Sequence, residues 1–182
     1  MKDAADIRVR VLAALAPALA FAGLYARTLN GDVQPADSGE FQLAAVALGI
    51  PHPPGYPLFT LLGWLLAQIP LGSPFARVSF LSVIAAAGTL ALVSLTAQAL
   101  TAHVIAARLS NAWLRRAVTA LAGLAASAAL ATSTTFWAQA TTTNIRSLTA
   151  LFAALMLYTA TQGMLAGRAA DLAGFALALG LG

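Results

Sequence analysis

Apolar residues fill this chain in long runs separated by short polar breaks. The runs lie at about 11–26, 78–107, 117–133 and 147–165, and a further one starts at 172. A bilayer core takes roughly 20 apolar residues in a helix, so the first four runs predict membrane-spanning helices. The fifth continues for about eleven residues to Gly182, too few to cross. Residues 1–182 therefore read as the N-terminal part of one transmembrane domain, truncated at its C-terminus. Lys2, Arg8 and Arg10 precede the first run. Ala20 and Ala22 could form the small-residue cleavage site of a signal peptide, but Asp3 and Asp6 interrupt the basic leader. A retained signal-anchor helix is the better expectation.

The stretch Tyr56–Leu71 is apolar but only about 16 residues long. The positive-inside rule decides how it runs. If it lies in the interface, Lys2, Arg8, Arg10, Arg108, Arg115, Arg116 and Arg168 are cytoplasmic and Arg27, Arg77 and Arg146 are outside, seven against three. If it crosses, every later loop inverts and the count becomes five against five. The first arrangement is favoured, and Pro57 and Pro70 bracket a short interfacial helix. The expected architecture is all-α and polytopic. It has a cytoplasmic N-terminus and a long outer loop over 27–77.

Composition sharpens this picture. Sixty per cent of the 182 residues are apolar and 9% are charged (60% and 9%), against about 25% charged in an average soluble domain. Mean hydropathy is +0.82. These values exclude a disordered chain, a soluble enzyme and a coiled coil. The net charge of +4 and pI near 10.4 do not point to nucleic acid, because the basic residues fall in ones and twos between apolar runs. There is no cysteine, hence no disulfide frame, thiolate metal site or cysteine nucleophile. The alanine-rich spans suggest a bacterial inner membrane, with the outer loop periplasmic.

Candidate chemistry gathers in the outer loop. Of six carboxylates, Asp32, Asp37 and Glu40 lie there. Asp37-Ser38-Gly39-Glu40 followed by a helical run from Phe41 reads as a capping-box start, with Asp37 at the N-cap and Glu40 at N3. A carboxylate held this way beside an apolar wall can also serve as a general base toward a hydroxyl. Pro51-His52-Pro53-Pro54-Gly55-Tyr56-Pro57 imposes a stiff turn. It either breaks one interfacial helix from the next or presents His52 and Tyr56 to a polar ligand. One histidine near carboxylates is weak ground for a metal, and the sequence names no cofactor. The loop 132–146 carries Phe136, Trp137, Gln139, Asn144 and Arg146, and its aromatic pair fits an interfacial belt. Arg77 and Arg146 run against the positive-inside trend. Outer arginines suit a phosphate, with snorkelling or pairing to a carboxylate as the alternative. No P-loop, dinucleotide fingerprint, nucleophile elbow or His-Glu-x-x-His is present.

Asp37-Ser38-Gly39-Glu40-Phe41, then Leu48-Gly49-Ile50-Pro51-His52-Pro53-Pro54-Gly55-Tyr56-Pro57-Leu58-Phe59, resembles the start of the transmembrane O-mannosyltransferase family (transmembrane protein 260-like). The likeness continues through Phe75-Ala76-Arg77-Val78 and Ser133–Ala140. The family looks like part of the GT-C superfamily of polytopic glycosyltransferases, and some bacterial members are filed as a membrane domain of unknown function. The resemblance implies a GT-C-like N-terminal module with interfacial helices in the first outer loop. It implies an active site facing the periplasm or lumen, a polyprenyl- or dolichyl-phosphate sugar as donor substrate, and a protein or glycan acceptor. By that likeness Asp37 is expected as general base, with Glu40 as partner or alternate. Arg77 or Arg146 would neutralise the leaving phosphate. His52, Tyr56, Trp137, Gln139 and Asn144 would bind substrate. Where the family reads Glu-Val-Tyr, this chain reads Asn144-Ile145-Arg146. The alternatives are a non-catalytic lipid-linked-sugar binder, a transporter or a membrane assembly component.

Overall fold

The computed structural model describes residues 2–167 and 169–181, with side chains described from Ile7 and excluding Ala169. The described residues are helical and contain no strand. Eight helices follow in order: α1 (Lys2–Arg27), α2 (Ala36–Ala47), α3 (Pro57–Ala67), α4 (Pro74–Ile105), α5 (Ala112–Ala131), α6 (Thr134–Ala140), α7 (Arg146–Ala166) and α8 (Ala169–Leu181). The segments Ile7–Arg27, Pro74–Ile105, Ala112–Ala131 and Arg146–Ala166 are long and apolar enough to cross a membrane. Large apolar side chains on these helices face outward: Leu12 and Leu19 are each 66% exposed, Leu121 62% and Leu157 64%. A protein in water would bury such residues, whereas lipid accepts them. The protein is a polytopic all-α membrane protein.

Local chemistry sets the helix ends. Thr28 ends α1, its backbone N–H and its Oγ1 both bonding the Leu24 carbonyl. Pro57 and Pro74 occupy first positions of α3 and α4, where a missing N–H costs nothing. Asn111 caps α5, its side chain accepting from the Leu114 N–H at 3.1 Å. Gly167, at φ 65°, lets the backbone turn after α7 and donates to the Gly163 carbonyl at 2.8 Å. With 11 residues α3 is about 16 Å long, half of a bilayer core. It falls short of the roughly 20 residues that a crossing helix takes.

The chain forms two compact units. The first comprises residues 1–21, 87–132 and 151–182, and the second 22–86 and 133–150. In the first, small residues let helices approach. A Cβ at Gly123 of α5 would lie 2.6 Å from Ser94 Oγ and 2.7 Å from Gln98 Cγ of α4, and one at Gly88 would lie 2.7 Å from Leu151 Cδ1 of α7. Gln98 is buried, and its side-chain amide donates to Ser94 Oγ and to the Arg10 carbonyl of α1.

In the second unit, α2 and α3 pack beside the start of α4. Gly63 makes this possible, since a Cβ there would lie 2.8 Å from Ala45 Cβ and 3.4 Å from Val78. A buried polar network ties the loop before α2 to α4 and to the segment before α7. The Gln34 N–H donates to Gln42 Oε1 at 2.9 Å, and Gln34 Oε1 accepts from the Thr143 N–H at 3.0 Å. Gln34 Nε2 reaches the Asn30 carbonyl at 2.9 Å and Ser79 Oγ at 3.2 Å. Gln42 Nε2 donates to the Asp32 carbonyl and to Ser79 Oγ, and the hydroxyls of Ser79 and Thr143 share a hydrogen bond of 2.6 Å. The network is uncharged and mutually satisfied, the condition under which polar groups are buried at low cost.

Candidate active site

The site is built on the first turn of α2 and the proline turn that follows it. α2 starts at Ala36, with Pro35 at its N-cap position and no side-chain cap. The expected capping box is thus not formed. Asp37 sits one residue inside the helix, and Glu40 turns toward His52 instead of back to the cap. Asp37 still gains from the helix dipole in the first turn.

Glu40 grips His52 twice. Its Oε1 accepts from the His52 backbone N–H at 2.6 Å, and its Oε2 lies 2.8 Å from His52 Nδ1. The turn is closed by the Gly55 N–H donating to the His52 carbonyl at 3.0 Å, with Gly55 at φ 89°. The His52 hydrogen bonds hold the Glu40 carboxyl below its ordinary range, the side-chain bond contributing most. The bond to Glu40 in turn raises the His52 pKa, aided by the nearby charge of Asp37. Both side chains are about 40% exposed, so the pair is screened.

An aromatic wall stands behind this pair. The buried Phe41 ring lies 5.4 Å from His52, 5.3 Å from Tyr56 and 5.4 Å from Phe59, and His52 and Tyr56 meet edge-on at 5.8 Å. Three non-glycine residues around the site take positive φ: Ala36 (54°), Leu48 (51°) and Tyr56 (41°). Such conformations cost of order 1–3 kcal/mol each and gather at functional sites. Gly39 has a packing reason as well. A Cβ there would collide with the Gln34 carbonyl oxygen, so only glycine lets the Asp37 turn seat on the buried network.

Asp37, Glu40 and His52 each offer one ligand atom, all within 4.8 Å of one another. Three ligands with waters can hold a divalent cation. Here, however, Glu40 Oε2 and His52 Nδ1 already engage each other, so an ion would have to displace that bond.

Of the residues expected at the site, the structure brings Asp37, Glu40, His52 and Tyr56 together. Asp32 is outside the cluster and contributes its carbonyl to the network. Trp137, Gln139 and Asn144 form another group. Trp137 meets the buried Tyr25 edge-on at 5.0 Å. Asn144 caps α7, accepting from the Ser147 N–H at 3.1 Å and donating to the Gln139 carbonyl at 2.7 Å. Arg146, at the start of α7, is exposed. Arg77 and Gln139 are half-buried, and Arg77 Nε and Gln139 Oε1 are buried without a hydrogen-bond partner among the described residues. Sequence reading missed Gln34, Gln42, Ser79 and Thr143. Their signal was available as two glutamines eight residues apart beside the acidic motif, where an apolar protein would otherwise have little use for amides.

The family described as "Protein O-mannosyl-transferase TMEM260 N-terminal domain" matches residues 37–181. The chain belongs to this family. Two curated TMEM260 relatives agree. The mouse "Protein O-mannosyl-transferase TMEM260" is 48% identical over 61 residues, covering 33% of this chain and 9% of the mouse protein. The Dictyostelium discoideum "Protein O-mannosyl-transferase tmem260" is 44% identical over 46 residues, covering 25% of this chain and 6% of its own length. The chain therefore matches under a tenth of either relative. No solved structure gives a significant match. Every residue of the Asp37–Glu40–His52 cluster lies within the part that matches the TMEM260 family.

Proposed function

We propose that this chain carries the catalytic outer loop of a GT-C-type membrane glycosyltransferase that moves a mannose-like sugar from a polyprenyl-phosphate to a hydroxyl of a protein or glycan. The observation that carries this reading is the division of labour in the cluster. Glu40 is committed to His52, whereas Asp37 is exposed in the adjacent turn. Asp37 is the general base. Glu40 and His52 hold the turn and, with Tyr56, shape the sugar pocket.

The reaction is a single in-line displacement. The acceptor oxygen bonds to the anomeric carbon as the bond from that carbon to the phosphate oxygen breaks. The acceptor proton passes to Asp37, and the electron pair leaves on the lipid phosphate. Phosphate is a competent leaving group, so charge neutralisation matters more than protonation. Arg77 supports that role, because its buried, unpartnered Nε is a donor that a phosphate oxygen would satisfy. Arg146 is the second candidate, and Trp137, Gln139 and Asn144 flank the donor. The seven-to-three distribution of basic residues supports an outward-facing loop and a cytoplasmic N-terminus.

The test uses the full-length protein in lipid with radiolabelled polyprenyl-phosphate mannose and a protein acceptor. Label should reach the acceptor with the wild type and not with Asp37→Asn. Donor retained without transfer would replace this reading with a lipid-linked-sugar binder. A fully active Asp37→Asn protein would remove Asp37 from the mechanism.

A further inference from the structure

The two hydrogen bonds between Glu40 and His52 do different things. The bond from the His52 backbone N–H to Glu40 Oε1, at 2.6 Å, ties the proline turn to α2. The bond at 2.8 Å between Glu40 Oε2 and His52 Nδ1 orders the imidazole itself. An ionised carboxylate can only accept, so Nδ1 must carry the proton, and the neutral ring then leaves Nε2 as a bare acceptor. The rings of Phe41 and Tyr56 pack on the imidazole at 5.4 and 5.8 Å between centroids and hold its plane. Nε2 has no hydrogen-bond partner among the described residues, and the His52 side chain is 40% exposed. Asp37 stands on the same rim, with a carboxylate oxygen within 4.8 Å of a His52 ring nitrogen. A turn that needed only an anchor would be served by the backbone bond. The second bond and the ring packing fix which atom faces outward and what that atom can do.

An oriented acceptor, an exposed carboxylate and aromatic rings side by side suit a polyhydroxylated ligand, whose hydroxyls donate while its C–H faces pack on the rings. We infer that His52 Nε2 accepts a hydrogen bond from one hydroxyl of the transferred sugar, and that Glu40 is the positioning residue that fixes the imidazole tautomer for it. This rests on the sugar-transfer reading above and adds a specificity to it: at one position the sugar must offer a proton. Fluorine at that position would set lone pairs against the Nε2 lone pair. Water reaches a ring that is 40% exposed and offsets part of the loss. The discrimination is therefore the roughly threefold to tenfold worth of a single neutral hydrogen bond. Glu40→Gln separates this role from simple anchoring. The His52 backbone N–H cannot relocate its proton, so the glutamine carbonyl must face it, and the glutamine NH₂ then faces Nδ1. The imidazole answers by moving its proton to Nε2, which turns the outward atom from acceptor to donor at unchanged shape.

The test has a spectroscopic arm and a binding arm, both on the full-length protein in lipid at mildly alkaline pH. In the first, ¹⁵N-labelled histidine is observed by NMR, and His52→Phe assigns the His52 signal by its loss. The wild type should show a protonated Nδ1 and a bare Nε2, and Glu40→Gln should show the reverse. Both nitrogens protonated in the wild type, or an unchanged tautomer in Glu40→Gln, would overturn the proposal. In the second, retention of polyprenyl-phosphate mannose is measured without acceptor, beside analogues in which one sugar hydroxyl at a time is replaced by fluorine. The wild type should retain one analogue roughly threefold to tenfold less well than the parent. That gap should close to within about twofold in Glu40→Gln, where Nε2–H meets the fluorine, and in His52→Phe, where the contact is gone for parent and analogue alike. Either variant suffices if the other fails to fold. A gap that persists in both, equal retention of every analogue by the wild type, or no retention of the parent would overturn the proposal. Equal retention would leave the acceptor hydroxyl as the partner of Nε2. Sugar transfer without the fluorine gap would remove this contact and keep the transferase reading, and the gap without transfer would do the opposite.

Discussion

Gln34, Gln42, Ser79 and Thr143 are buried and uncharged, whereas Asp37, Glu40 and His52 belong to the same unit and lie at least partly open to solvent. In the first group each polar atom is answered by another, so burial is affordable and the arrangement is rigid. In the second, Glu40 and His52 pair while Asp37 stays open. The neutral group fixes where the α2 turn sits, and under the proposed mechanism the charged group does the chemistry that position allows. Gly39 joins them, because the backbone of the acidic turn rests on the Gln34 carbonyl.

Removing the open carboxylate breaks the comparison most sharply. Asp37→Asn should lower sugar transfer by roughly 10²–10⁴-fold, the usual worth of a general base, with an unchanged melting temperature in detergent. A loss of less than about threefold would show that the base lies elsewhere. Gly39→Ala should act on both groups at once. Overpacking against backbone costs about 1–3 kcal/mol, and transfer should fall with stability because the Asp37 turn is displaced. Wild-type melting and activity would mean the loop relaxes freely.

Gln34→Ala tests the neutral group alone. It orphans the buried Thr143 N–H and should cost about 1–3 kcal/mol in thermal unfolding. Transfer per folded molecule should be little affected, and a pure activity defect with normal melting would contradict the structural role. The smallest effect is expected from Glu40→Gln, read by NMR of the His52 ring. Glu40 raises the His52 pKa, so the variant should titrate at a lower pH. The sign also sets a window. The Glu40 contribution is lost as pH falls through its lowered pKa, and the His52 contribution is lost as pH rises through its raised one. The pair should therefore hold the turn across the range between those two values and loosen on either side. An unchanged His52 titration in the variant would mean the 2.8 Å bond does not persist in solution.

The transmembrane helices were legible because the bilayer imposes a length and composition that hydropathy records directly. The Asp-Ser-Gly-Glu and His-Pro-Pro-Gly-Tyr-Pro motifs were legible as a pair because carboxylates are scarce here and four prolines constrain the turn. Their contact was not, since nothing local states that Glu40 would bond His52 across twelve residues. The misplaced capping box has the same origin. Local spacing favoured Asp37 as the cap, but the cap position falls two residues earlier, at Pro35, and Glu40 finds a better partner in the turn than in its own N-terminus. Gln34 and Thr143 were illegible for a simpler reason: their hydrogen bond spans 109 positions.

By itself the sequence determined the membrane class, the family and which side chains were available for chemistry, because each depends on composition or on neighbours along the chain. Tertiary structure alone decided that Glu40 is spoken for and Asp37 is open, and that neutral amides anchor the acidic turn. Hydrogen bonds and charge pairing act over about 3 Å in space, whatever the separation along the chain.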